Sequence, residues 1–129
     1  MASSLSVSFL VLCALSLAQA QLRVFDLRAS DLPYDIFGIT DAYVKVYVGT
    51  ASLGKTATRA NTIHPWWEEE FTYFHAQEND ILKLDVHDAD LLFHDLVGSC
   101  ERQLKPGTYH YDCHLEEGGT LHYSYTLDQ

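Results

Sequence analysis

Beyond residue 20, apolar and polar residues alternate with period two over most of the chain, and nowhere is the 3.6-residue period of an amphipathic helix sustained. Successive side chains of a strand point to opposite faces, so such a pattern commits the chain to half-buried strands. Ala42, Val44, Val46 and Val48 share one face while Tyr43, Lys45 and Tyr47 take the other, and Leu82, Leu84 and Val86 oppose Lys83, Asp85 and His87 in the same way. Further on, Tyr109, Tyr111, Cys113 and Leu115 form one face and Leu121, Tyr123, Tyr125 and Leu127 that of the next strand, with Glu117-Gly118-Gly119 between them as a hairpin turn. Adding residues 22–29, 54–60, 69–75 and 96–104 predicts an all-β fold, an eight-stranded antiparallel β-sandwich. Val24-Phe25-Asp26-Leu27 breaks the alternation and predicts a bulge in the first strand.

The first 20 residues are expected to play no part in that fold. A short polar start, a mostly apolar run over residues 5–18 and the small-x-small pattern Ala18-Gln19-Ala20 resemble a signal peptide cleaved after Ala20. The run is shorter than the ~20 apolar residues that span a bilayer. Residues 21–129 then form a single domain, secreted and extracellular. Cys13 is removed with the signal, leaving Cys100 and Cys113 as the only pair; an oxidising compartment predicts a disulfide between them, with two buried thiols as the alternative, and the strands over 96–104 and 107–115 that carry them are expected to be hairpin neighbours joined by a turn at Pro106-Gly107.

All charged residues fall after the cut, 18 acidic against 8 basic, for a net charge of −10. No basic stripe is available for nucleic acid. The acids concentrate in two loops, Asp35-Ile-Phe-Gly-Ile-Thr-Asp41 and Asp88-Ala-Asp90-Leu-Leu-Phe-His-Asp95. At one end of a sandwich these five carboxylates would repel one another without a counterion. Ca²⁺ suits them, because it takes six to eight oxygens in a tolerant geometry, whereas Mg²⁺ keeps much of its water.

At these residues the sequence resembles a C2 domain, and within that family the C-terminal C2 domain of the perforin type. Asp35-x-x-Gly38-x-x-Asp41-Ala-Tyr-Val-Lys-Val resembles the family's first calcium loop and the strand after it. Residues 62–71, with Pro65-Trp66-Trp67-Glu68 and Phe71, resemble the second loop, and Val86-His-Asp88-Ala-Asp90 followed by Gly98-Ser-Cys100 the third. Residues 119–127 resemble the strand that opens the other circular permutation of the fold, which implies the type II topology here. The resemblance implies that Asp35, Asp41, Asp88, Asp90 and Asp95 bind one or two calcium ions. The gap from Asp90 to Asp95 is one residue shorter than the family's usual spacing. None of the hundreds of residues of a pore-forming domain is present, so no pore is expected.

Between the carboxylates lie Ile36 and Phe37 in the first loop and Leu91, Leu92 and Phe93 in the third, with Trp66 in the second. Apolar residues at such tips mark a surface that enters lipid, each contributing roughly 1.5–3 kcal/mol when fully buried. Trp67 and Phe71 are expected in the core. His110, His114 and His122 match no zinc motif and are read as surface residues. No nucleophile elbow or phosphate loop is present, and residues 88–99 lack the Gly and final Glu of an EF-hand, so no enzyme is expected. The expected function is calcium-dependent binding to a phospholipid membrane surface. The alternative is a protein-interaction domain, a cofactor or decoy for a perforin-like protein, its protein partner unknown.

Overall fold

The computed structural model describes residues 20–35, 38–90 and 94–128, and of residues 20, 35 and 94 the backbone alone. Two sheets pack face to face. One runs β10 (Gly107–His114), β11 (Thr120–Asp128), β1 (Ala20–Ser30), with β6 (Trp66–Trp67) and β7 (Phe71–Ala76) both paired to β1. The other runs β5 (Ala51–Lys55), β4 (Ala42–Val48), β8 (Ile81–Ala89), β9 (His94–Gln103). The two-residue strands β2 (Tyr34–Asp35) and β3 (Gly38–Ile39) pair only with each other. Every pairing between strands is antiparallel, and the last strand lies beside the first, as the type II topology requires.

The alternating residues meet between the sheets. Val44, Val46, Leu82, Leu84 and Val86 on one side and Leu22, Val24, Leu121, Tyr125 and Leu127 on the other are all but inaccessible, with Trp67 and Phe71 among them. The expected bulge is present: β1 loses register with β11 between Phe25 and Arg28, and Asp26 takes φ 54°. Gly119 ends the β10–β11 turn at φ 84°, where a Cβ would lie 2.9 Å from the carbonyl oxygens of Ser30 and Asp31. Only glycine fits there.

Two expectations are corrected. The strand placed at 54–60 is found at Ala51–Lys55, because Gly49 and Thr50 form a tight turn directly after β4. Thr56 then bonds Val44 twice, donating its N–H to the Val44 carbonyl and accepting the Val44 N–H through its hydroxyl (both 2.9 Å), and Arg59 pairs with Ala42. The second correction concerns the cysteines. Cys100 and Cys113 are bonded, Cα atoms 6.1 Å apart, but β9 and β10 are not hydrogen-bonded neighbours. They are edge strands of opposite sheets, so the disulfide ties the two layers of the sandwich together.

Candidate functional site

Pairing of β4 with β8 sets Ala42 opposite Asp88 and so brings the two acidic loops to one end of the molecule. The Asp41 N–H donates to Asp88 Oδ1 (2.9 Å), the Ala89 N–H to the Asp41 carbonyl (2.7 Å), and the Asn61 N–H to Asp41 Oδ1 (2.7 Å). Loop one is held to loop two by the Ala29 N–H on Pro65 O (2.9 Å) and the Leu32 N–H on Ile63 O (3.0 Å). Backbone N–H groups thus hold the Asp41 and Asp88 carboxylates in place.

Asp95 reaches the site through a device the sequence does not reveal. From Ile81 to Val86 the β8–β9 register would set Leu96 opposite Asp88. One extra residue, Val97, is accommodated between the Val86–Gly98 and His87–Leu96 pairs, so that Asp95 becomes the partner of Asp88. The Val97 carbonyl accepts the Glu117 N–H (2.9 Å), fastening the bulge to the β10–β11 turn. The shortened loop is thus offset by a bulged strand.

Of the predicted ligands, Asp41 directly precedes β4, Asp88 and Asp95 pair at the facing ends of β8 and β9, and Asp90 follows directly on the last residue of β8. Asp35 is placed by its backbone, opposite Gly38. Ile36, Phe37, Leu91, Leu92 and Phe93 lie outside the described residues. Among the described residues no three His, Cys, Asp or Glu side chains converge as a metal cluster. The donor set nevertheless suits a hard cation, being carboxylate oxygens with backbone carbonyls nearby.

Three exposed apolar residues that the sequence did not single out stand beside these carboxylates, Tyr34 and Leu96 flanking the acidic segments and Ile39 between Asp35 and Asp41. Tyr34 is 74% exposed, Leu96 50% and Ile39 45%; Tyr34 and Ile39 face each other across β2 and β3. Tyr34 and Leu96 share a cavity of about 500 Å³ with Thr40, Asp88, Asp95 and Glu117. Tyr34 directly precedes Asp35 and Leu96 directly follows Asp95, so adjacency to a predicted ligand was the available signal. Trp66 is 56% exposed but sits opposite Arg28, on the outer face of the first sheet beside a second cavity. The three C-terminal histidines are occupied locally: His110 with Ser124 (2.6 Å), His114 with Thr120 (3.1 Å), and His122 with Asp112 (2.6 Å) and Ser30 (2.9 Å).

Comparison with known proteins matches residues 20–124 to the family described as C2 domain. A solved structure of a C2 domain is 58% identical, with a TM-score of 0.83 over 85% of this chain and 99% of that one. Rat perforin-1 is 31% identical over 102 residues, 77% of this chain and 18% of the relative. Mouse cytosolic phospholipase A2 epsilon is 41% identical over 61 residues, 45% of this chain and 7% of the relative. The chain therefore spans less than a fifth of the length of these curated relatives.

Proposed function

Because the chain belongs to the C2 domain family, a family of binding modules, we propose that it is a secreted protein that binds phospholipid membranes in a calcium-dependent way. The observation that carries this reading is the bulge at Val97, which sets Asp95 opposite Asp88 beside the Asp41–Asp88 contact, with Tyr34, Ile39 and Leu96 exposed around them. Asp35, Asp41, Asp88, Asp90 and Asp95 would hold the calcium, which when bound supplies a bridge to lipid phosphate oxygens and neutralises the loops. Without it, five carboxylates, half the net charge of −10, face an anionic bilayer and keep the protein off. The apolar set then comprises Ile36, Phe37, Leu91, Leu92 and Phe93 together with Tyr34, Ile39 and Leu96.

Secretion is supported by the inter-sheet disulfide, which belongs to an oxidising compartment. Cleavage after Ala20 would cost β1 only its Ala20–Ala76 pair and leave Gln21 opposite Asp128.

The test is co-sedimentation with phosphatidylserine–phosphatidylcholine vesicles in millimolar calcium and in EGTA. Wild type is expected to bind only with calcium, and Asp88→Asn with Asp90→Asn to lose that binding together with the calcium-induced rise in melting temperature. Equal binding by this variant would sink the proposal and put the protein-interaction reading first.

A further inference from the structure

The outer face of the first sheet carries a cavity of about 350 Å³, remote in character from the acidic loops. The β1 bulge lies at its edge: β1 loses register with β11 between Phe25 and Arg28, and Asp26, in a left-handed conformation there, lines the cavity with Arg28. Residues directly opposite on antiparallel strands share a face. Asp112 is opposite His122, His122 opposite Arg28, and Arg28 opposite Trp66, so these four form one row across β10, β11, β1 and β6. At ~4.8 Å per strand the row spans about 14 Å.

The chemistry of that row is specific. Trp66 is 56% exposed and has no ring partner among the described residues, and its backbone is held by Arg59 Nε donating to Trp66 O (2.9 Å). Asp26 and Arg28 both line the cavity, both are exposed, and neither side chain forms a hydrogen bond or ion pair among the described residues. Asp112 uses one oxygen on His122, and His110 is bonded to Ser124 at the cavity's other side. A strong anion would meet Asp26 and Asp112, and a cation would meet Arg28. Close opposite charges suit instead a neutral ligand with many hydroxyls, which can donate to carboxylates and accept from a guanidinium. An exposed aromatic face beside them matches a C–H-lined ring. The volume is at the small end of the ~300–1,000 Å³ of small-molecule sites.

We propose that this face is a carbohydrate-binding site that takes a neutral hexopyranose residue of a glycan, its C–H face stacked on Trp66 and its hydroxyls bonded by Asp26, Arg28 and Asp112. The site is independent of calcium and separate from the membrane-contacting loops. Trp66, which the sequence places with those loops, has its task here.

The experiment is an amide-resolved NMR titration of the full chain in EGTA with methyl glycosides of glucose, galactose, mannose and N-acetylglucosamine, each to about 50 mM, since single-ring contacts give affinities on the order of millimolar. At least one glycoside is expected to give saturable shifts centred on Arg28, Trp66, Asp112 and His122. Trp66→Ala and Arg28→Gln, whose side chains are exposed and whose melting temperatures should match wild type, are expected to weaken that binding by about tenfold or more. In calcium, Trp66→Ala should bind vesicles as wild type does. Absence of site-centred shifts with all four glycosides would overturn the proposal, as would shifts produced by inorganic phosphate alone. Loss of vesicle binding by Trp66→Ala with glycoside binding intact would return that residue to the membrane surface and overturn it equally.

Discussion

Breaking the Cys100–Cys113 bridge should act mainly on the unfolded chain. The bridged residues are 13 apart in sequence, and freeing a loop of that size is worth about 3 kcal/mol. For a domain of ~110 residues the unfolding entropy is about 0.23 kcal/mol/K, so the melting temperature should fall by about 13 °C. The native edge should nevertheless persist. Arg102 still stacks on Tyr111 at 3.9 Å, and the Lys105 N–H still donates to Tyr125 Oη at 3.0 Å, both between strands of opposite sheets or their joining turn. The assay is thermal melting by circular dichroism of oxidised wild type, wild type in dithiothreitol, and Cys100→Ala with Cys113→Ser. The reduced wild type keeps both sulfurs and isolates the cross-link, whereas the double variant also empties part of a site where Cys100 is 2% exposed and should melt lower still. Urea titration should show a steeper dependence in both, because the uncrosslinked chain exposes more surface when unfolded. A drop of under about 4 °C in the reduced wild type would refute the loop-entropy argument.

Gly98→Ala should cost about 1–3 kcal/mol, because its Cβ would lie 2.8 Å from both the Glu116 backbone nitrogen and Leu115 Cβ, and would also meet Glu116 Oε2; chemical denaturation measures it, and a neutral effect would refute the tight packing of the β10–β11 turn on β9. Tyr34→Ser with Leu96→Ser should weaken calcium-dependent vesicle binding by about tenfold while leaving the calcium-induced melting shift intact, since neither side chain is a carboxylate donor. The Asp112 carboxyl, held below the usual carboxylate range by its hydrogen bond to His122, should titrate by NMR with a midpoint under the ordinary ~3.9, and His122→Ala should restore it. The sign follows: as pH falls below about 4 the unfolded carboxyl takes up its proton first, and the pair's contribution is lost as pH drops through the depressed folded value. Burial raises Tyr123 and Tyr125 above the ordinary phenol range, so an absorbance titration should find them ionising last, with stability falling as pH rises past about 10 toward their folded values.

Sequence alone placed most of the strands, because a period-two pattern is local: Ala42, Val44, Val46 and Val48 must share a face whatever they pack against, and they are buried together. It likewise placed a bulge within Val24-Phe25-Asp26-Leu27, where alternation fails, and paired Cys100 with Cys113. What crosses between elements was decided elsewhere. Nothing in the spacing of Cys100 and Cys113 says that their strands belong to different sheets, because a thirteen-residue separation fits a hairpin as well as a corner between layers. Asp95 was legible as an acid one position short of the family's spacing, but its position opposite Asp88 depends on the Val97 bulge, which is fixed by a hydrogen bond to Glu117 twenty residues on. The row from Asp112 through His122 and Arg28 to Trp66 joins four segments that are distant in the chain. Register between strands is set by the packing of both faces and by turns far along the sequence, so only the folded sheet could bring those side chains into line.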